Sequence, residues 1–404
     1  MRVLLSTIGS RGEVQPVVGL ALELRALGQE IRVCVPPDFR EWIEGLGIPV
    51  VPIGPEVRHT AKAGQQIVPS KFTPEQRLQL LEATIANQFT TISAAAEGCD
   101  VIVAGGAMMM AVRSITEQLG IHYVYTSFCP VTLPSPHHAP LPMFGPLPTS
   151  QTADNLTLWA EDAQRWNESS GVALNSYLAS AGLPAVADVR DHMFTGAPWL
   201  AADPTLGPWP RPSDLDVVQT GAWILPDESP LSPELEAFLD AGEPPVYFGF
   251  GSMSAAEGLG REMLKSAREL GRRAVVARGW AGLSPLDDEP DWLSVGEVNH
   301  HALFTRVAAA VHHGGAGTTT AVGRAGAPQV IVPQKYDQHY WAGRVDQLGI
   351  GTAHAPGVPT ADSLATALER ALRPEVTSRA HDVAANVRTD GTTVAAQRLM
   401  ALGS

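Results

Sequence analysis

Short apolar runs alternate with stretches of helical period along the chain. Val3–Thr7 (VLLST) is an apolar run that ends at a glycine turn, and Val17, Leu20, Leu24 and Leu27 then recur at helical spacing across Val14–Leu27. Ile31–Val35 (IRVCV) predicts the next strand, stopped by Pro36 and Pro37. The same reading gives strands at Val50–Ile53, Val101–Ala104 and Tyr123–Tyr125, and helices at Pro74–Ala96 and Met109–Leu119. A βαβα succession of this kind implies a parallel sheet with helices on both faces.

The rhythm breaks twice. Pro134–Pro148 (PSPHHAPLPMFGPLP) is a long proline-rich loop, and loops of that length usually carry function. Pro204–Pro212 (PTLGPWPRP) reads as a stiff connector and sets the expected domain boundary. The alternation then restarts, with Val246–Phe250 as a buried strand, a helix through Leu270, and strands at Ala274–Arg278, Trp292–Val295, Ala308–His313 and Gln329–Pro333. From about Thr360 the pattern is nearly all helical. The expected fold is α/β: two tandem Rossmann-like, doubly wound parallel-sheet domains with a cleft between them. The expected limits are a first domain over 1–205, a linker over 206–218, a second domain over 219–387 and a final helical segment over 388–404.

Composition agrees with two domains: 404 residues, 45% hydrophobic and 17% charged, suffice for two cores at roughly 150 residues or more per domain. A formal charge of -14 argues against nucleic acid or an anionic membrane surface as partner. Cys34, Cys99 and Cys129 are too few and too scattered for a disulfide framework or a zinc site and read as buried thiols. No window approaches a membrane span, and the first residues have no signal-peptide core. The expectation is a protein of the cytoplasm with small-molecule partners.

The strongest chemical signal is Ala308–Gly326 (AAAVHHGGAGTTTAVGRAG). An apolar strand runs into a histidine, then small residues, then Thr318, Thr319 and Thr320 opening a helix. Free N–H groups and the macrodipole at such a terminus attract a phosphate, Gly314, Gly315 and Gly317 let backbone approach it, and His313 is placed to donate to it. The turn lacks a P-loop lysine and is not an early dinucleotide fingerprint. The first turn, Gly9–Val14 (GSRGEV), follows the first strand, where ligands of open α/β sheets sit. Glu13 there either complements the helix dipole or serves as a general base over the cleft, with Ser10 orienting it or contacting the ligand. The dipole would keep such a carboxylate ionised at neutral pH. Asp337 and Gln338 precede a helix one βα unit after the phosphate motif and offer groups suited to sugar hydroxyls; capping by Asp337 is the plain alternative. Gly251 and Ser252 end the second domain's first strand, as a tight turn or as room for a ligand. Asp214 to Asp216 (DLD) lies away from any phosphate motif and reads as linker charge, so no metal is expected. The histidine doublets, His312/His313 among them, do not have zinc spacing.

Together these residues resemble the two-domain GT-B glycosyltransferases of family 1, closest to the bacterial enzymes that glycosylate vancomycin-group glycopeptide antibiotics. The motifs, in order, are MRVLLSTIGSRGEV, LPSPH, WLAADPTLGP, VQTGAWILPDESPLSPELEAFL, GFGS, ARGW, GEVN, LFTRVAAAVHHGGAGTTT and DQHYWAGRVDQLGIG. The resemblance implies an acceptor-binding first domain, a nucleotide-sugar-binding second domain and a final helix crossing back to the first. It implies that His313, Gly315, Gly317 and Thr318 hold the pyrophosphate, with Ser252 nearby, and that Asp337 and Gln338 bind sugar hydroxyls. It assigns Trp280 to stacking on the base and Val298 to main-chain contact with it. The acceptor would meet about Arg58 to Thr73 and the loop Pro134–Pro148.

One departure concerns the base. The family turn usually carries aspartate where this chain has Glu13, one methylene longer, and a shift of about 1 Å in a positioned base can cost on the order of 10²-fold in rate. His137 and His138, in the proline-rich loop, are the alternative candidates on the acceptor side. The implied reaction is inverting transfer of a hexose or deoxyhexose from a UDP- or dTDP-sugar to a hydroxyl of a glycopeptide- or polyketide-type aglycone, with no cofactor. A sterol or lipid glucosyltransferase and a non-catalytic partner protein of the same fold are the competing readings.

Overall fold

The apolar runs become the strands of two sheets. The first contains β1 (Arg2–Thr7), β2 (Glu30–Val35), β3 (Val50–Pro52), β4 (Val101–Gly105), β5 (His122–Ser127), β6 (Trp199–Leu200) and β7 (Val218–Gln219), in the order β3-β2-β1-β4-β5-β6-β7. The second contains β8 (Val246–Gly249), β9 (Ala274–Ala277), β10 (Trp292–Val295), β11 (Ala309–His312), β12 (Gln329–Ile331) and β13 (Gly351–Ala353), in the order β10-β9-β8-β11-β12-β13. Strand pairing is parallel in both. This computed structural model describes residues 1–58, 72–141, 153–253, 256, 258–283, 287 and 289–403. The expected acceptor segments therefore fall partly outside the described residues, at 59–71 and 142–148.

The mostly apolar character of the central strands β1, β4, β8 and β11 follows from burial on both faces. Leu4 packs into one core with Ile92, Ile102 and Ile115, while Val3 and Leu5 point the other way into a core with Val14, Val17 and Leu24 of the helix Arg11–Ala26. In each sheet the chain order reverses beside the first strand, between β1 and β4 and between β8 and β11. These are the switch points where doubly wound sheets bind ligands.

The domain limits differ from expectation at the linker. The proline-rich segment does not join the sheets; it loops between β6 and β7 of the first. The chain crosses to the second domain only after Gln219, ahead of the helix Pro233–Asp240. Side-chain bonds pin the loop. Asp203, fully buried, accepts from the N–H groups of Thr205 and Leu206, and the Gln219 amide donates to Ala202 and Gly207 carbonyls at 3.0 and 2.9 Å. Arg344 of the second domain donates to Leu206 O at 2.9 Å. The segment is a wedge between domains.

The final helix, Gly391–Leu402, packs on the helix Arg11–Ala26, with Ala395, Ala396 and Leu399 buried in the core of β1. Thr393 Oγ1 donates to Glu23 at 2.8 Å in the same contact. No helix among the described residues is long and apolar enough to cross a membrane.

Candidate active site

Both switch points open onto one cavity of about 2940 Å³. Its walls include the turn after β1 (Ile8–Ser10), the turn after β4 (Gly106–Met108), the turn after β8 (Gly251–Met253) and the turn after β11 at His313 and Gly315. Ser10, Glu13, Ser252, Trp280, Val298, His313, Gly315, Gly317, Thr318, Asp337 and Gln338 all line it. Residues nearly the whole chain apart thus meet because both sheets direct their strand ends into one cleft.

The histidine doublet divides its work. His312 is fully buried; its Nδ1 accepts from Gly314 N–H at 3.1 Å, and its Nε2 lies 2.9 Å from Gln329 Oε1. Burial pushes its pKa down to about 3, so it is a neutral brace whose Nε2 donates. His313, on the opposite side of the strand, faces the cavity. Burial brings its pKa down to about 4, and its Nδ1 is buried with no partner among the described residues. Gly314 adopts φ +90°, a conformation other residues rarely take. At Gly315 a Cβ would stand 2.6 Å from His313 Nε2, so only glycine leaves the ring its place.

The helix Ala316–Ala325 starts at Gly315 without a side-chain cap. Its threonines are not equivalent. Thr319 and Thr320 return their hydroxyls to the carbonyls of Gly315 and Ala316 at 3.0 and 2.8 Å, which leaves Thr318 as the one facing outward at the uncapped end.

Opposite lies Glu13, third residue of its helix. Ser10 N–H and Oγ both donate to Glu13 Oε2, at 2.7 and 2.8 Å, completing a capping box. Oε1 is clear of both bonds. Gly9 makes room for this carboxyl: a Cβ there would meet Glu13 Cδ at 2.6 Å. Burial raises the proton affinity of Glu13, against the Ser10 bonds and the charge of Lys335. The dipole therefore does not act alone on it, and the balance moves it toward the range useful to a base. Asp337, across the cleft, is pushed up to about 6 by burial, with Trp341 Nε1 donating to Oδ2 at 3.0 Å against the shift and the Glu13 charge adding to it.

Gln338 is turned inward. Its Oε1 accepts from the N–H groups of Gln334 and Lys335 at 2.8 and 3.1 Å, and its Nε2 meets Met253 Sδ at 3.5 Å. This clamp holds a loop in which Tyr336 has φ +55°, a strained conformation for a bulky residue and one found where a site is held against preference. His137 and His138 do not line the cavity. His137 Nε2 lies 2.8 Å from Pro212 O, and His138 Nε2 lies 2.9 Å from Leu133 O between Trp159 and Trp209. One ring nitrogen of each imidazole lies within hydrogen-bond distance of a backbone carbonyl, and the rest of their loop, 142–148, falls outside the described residues.

Lys335 and Tyr336 also border the cavity, with the ammonium 5.0 Å from the ring centre. The sequence reading passed over them, although they directly precede Asp337. It also passed over the apolar wall of the first domain, formed by Met108, Tyr125, Trp159, Trp166 and Phe194. Part of that wall borders a π-helical turn, Asn167–Gly171, with no short sequence signature.

Two family models match the chain: the glycosyltransferase family 28 N-terminal domain over residues 3–135, and the erythromycin biosynthesis protein CIII-like C-terminal domain over 261–402. Glycosyltransferase GtfE of Amycolatopsis orientalis is 51% identical over 403 residues, covering 99% of this chain and 97% of the relative. This chain belongs to the GT-B glycosyltransferases. Within them it is closely related to the vancomycin-group antibiotic enzymes, which are nucleotide-sugar-dependent transferases. The vancomycin aglycone glucosyltransferase of the same organism is 49% identical over 402 residues, covering 99% of this chain and 97% of that one. Among solved structures, the glycosyltransferase of kitacinnamycin superposes with a TM-score of 0.73 at 18% identity, covering 99% of this chain and 98% of the other, a likeness of fold.

Proposed function

We propose that this glycosyltransferase moves a hexose or deoxyhexose from a UDP- or dTDP-sugar to a hydroxyl of a glycopeptide- or polyketide-type aglycone, inverting the anomeric centre. The carrying observation is the opposition, in one cavity, of a braced carboxylate from the first domain and an uncapped helix with an unpartnered histidine from the second. His313, the N–H groups at Gly315 and Gly317 and the Thr318 hydroxyl take the diphosphate, with Ser252 beside them. Charge develops there as the glycosidic bond breaks, and preorganised donors stabilise it. Trp280 stacks on the base and Val298 meets its edge through the main chain. Asp337 accepts from sugar hydroxyls; Gln338 contributes chiefly by holding the loop that carries it.

The acceptor lies along the apolar wall of the first domain. Its hydroxyl attacks the anomeric carbon opposite the diphosphate and passes its proton to Glu13, oriented by Ser10. The first domain, 1–219, takes the acceptor, and the second, up to 387, takes the donor. The buried free thiols Cys34, Cys99 and Cys129 fit a reducing cytoplasm.

The test is calorimetric titration of the protein with UDP and dTDP, beside His313→Ala, followed by product analysis with candidate aglycones. Saturable binding that the substitution weakens strongly, and one anomeric product of inverted configuration, are expected. A folded protein that binds neither nucleotide overturns the donor assignment.

A further inference from the structure

Trp280 stands at a junction between the domains. Its N–H donates to Gly251 O at 2.9 Å, and Gly279 before it approaches so closely that a Cβ would lie 2.6 Å from the same oxygen. Gly251 in turn abuts His313: a Cβ there would meet Cε1 at 3.3 Å. The Trp280 main chain is thereby tied through one turn to His313, which faces the cavity. On its other side it meets the first domain. The Phe39 ring centre lies 6.1 Å from that of Trp280, with the planes 33° apart, and Phe39 is itself edge-on to Trp42 at 6.3 Å. Arg11 closes the same corner, its guanidinium 3.9 Å from the Trp42 ring centre and Nη1 3.1 Å from Glu297 of the second domain.

Trp42 and Trp280 line the cavity, whereas Phe39 is buried behind them in the first-domain core. We infer that Phe39 is a positioning residue for the donor: from the first domain it fixes the second-domain ring on which the nucleotide base stacks. This rests on the reading of Trp280 as the base platform. An indole on a loop must give up rotamer freedom when a base stacks on it; one already held against Phe39 has given it up before the ligand arrives. The Phe39–Trp280 contact exists only while the domains are together. Glu297 is exposed and Arg11 half-buried, so their pair adds little alone and serves to set the register of the corner.

The experiment is titration of the full chain with UDP and dTDP, in parallel with steady-state kinetics and melting curves, for four forms: wild type, Phe39→Leu, Trp280→Leu and the double variant. Leucine keeps apolar bulk at the buried position and removes the ring. An aromatic contact of ordinary strength corresponds to a rise of about 2- to 12-fold in nucleotide Kd for Phe39→Leu. The donor KM rises with it, while kcat at saturating donor and the acceptor KM stay within about twofold. In the Trp280→Leu background the Phe39 substitution adds no further loss, because the ring it positions is gone. Arg11→Met, which loosens the same corner without touching the core, shows a smaller rise in Kd and covers the case in which Phe39→Leu fails to fold. An unchanged Kd in folded Phe39→Leu, or the same loss with and without Trp280, overturns the inference and leaves Phe39 as core packing only. Wild type that binds neither nucleotide removes the donor reading itself, a failure visible before any variant is compared.

Discussion

Glu13→Gln separates the two roles that meet in one residue. The capping box works with glutamine as well as glutamate at the third helical position, since either side-chain oxygen accepts from Ser10 N–H and Oγ. The variant is isosteric, so the carboxamide fits the space that Gly9 leaves. Losing a cap altogether costs about 1 kcal/mol, and keeping it holds the stability change well below that. What glutamine cannot do is take a proton. General-base catalysis by a positioned side chain contributes about 10²–10⁴-fold, or roughly 2.7–5.4 kcal/mol of barrier at 1.36 kcal/mol per decade. The expected result is a loss of kcat in that range with the melting temperature nearly unchanged and nucleotide Kd nearly unchanged, because Glu13 stands on the acceptor side of the cavity. The assay is the initial rate of glycoside formation by chromatography at saturating donor and acceptor, with calorimetric Kd and a melting curve on the same preparation. Glu13→Gln that keeps kcat within about threefold of wild type would refute the argument and leave Glu13 as a cap. Glu13→Asp completes the series: it keeps the base but retracts it, so it should lose less than glutamine does.

Three further outcomes follow from the same geometry. Lys335→Met removes a positive charge that lowers the Glu13 pKa; on the reading that Glu13 works deprotonated, the acidic limb of the kcat/KM profile moves to higher pH, and an unmoved limb shows that the charge is not felt. Gly315→Ala suits the backbone there, φ −65° and ψ 141°, but sets a Cβ 2.6 Å from His313 Nε2; displacing that ring should lower kcat by roughly 10²-fold and weaken nucleotide binding, as loss of one charge-stabilising donor does, and wild-type kinetics would show the ring is not used. Burial holds His300, His312 and His313 neutral, with pKa values of about 4, 3 and 4. The unfolded chain, with its histidines near 6.5, then binds more protons between pH 6.5 and about 4, so stability falls as pH is lowered through that window. A melting temperature flat from pH 7 to 4 would contradict this.

The two-sheet plan was legible because its signals are long. Runs such as VLLST and AAAVHH end at glycine turns, and helical periods between them fix parallel connections. The end of the first domain was not legible. β7 is two residues long and, among the described residues, pairs only with β6, too short for a pattern to register, while proline density marks irregular chain whether or not it joins domains. What makes that segment a wedge is the side-chain bonding of Asp203, Gln219 and Arg344, which a linear reading does not contain. The surroundings of His137 and His138 were not legible for a related reason. Residue type records that an imidazole is able to act as a base; the nearness of the Pro212 and Leu133 carbonyls, each beside one ring nitrogen, is a property of the fold.

The candidate site shows the same distinction at the level of atoms. Motif residues were found by type and spacing, but within each motif the fold assigns some atoms to bracing and leaves others to chemistry. His312 spends both ring nitrogens on Gly314 and Gln329, while its neighbour His313 keeps a buried Nδ1 without a partner. Thr319 and Thr320 return their hydroxyls to the backbone and Thr318 does not. Gln338 gives its carbonyl to Gln334 and Lys335. Glu13 takes both Ser10 bonds on Oε2 and keeps Oε1 clear of them. A buried polar atom without a partner carries an unmet desolvation cost until a ligand supplies the bond. On the proposed reading, the second-domain side of the cavity is distinguished by the buried, unpartnered His313 Nδ1 as well as by the glycine pattern. Sequence bounds the chemistry; the hydrogen-bonding capacity that the fold leaves unused narrows which residues are free to perform it.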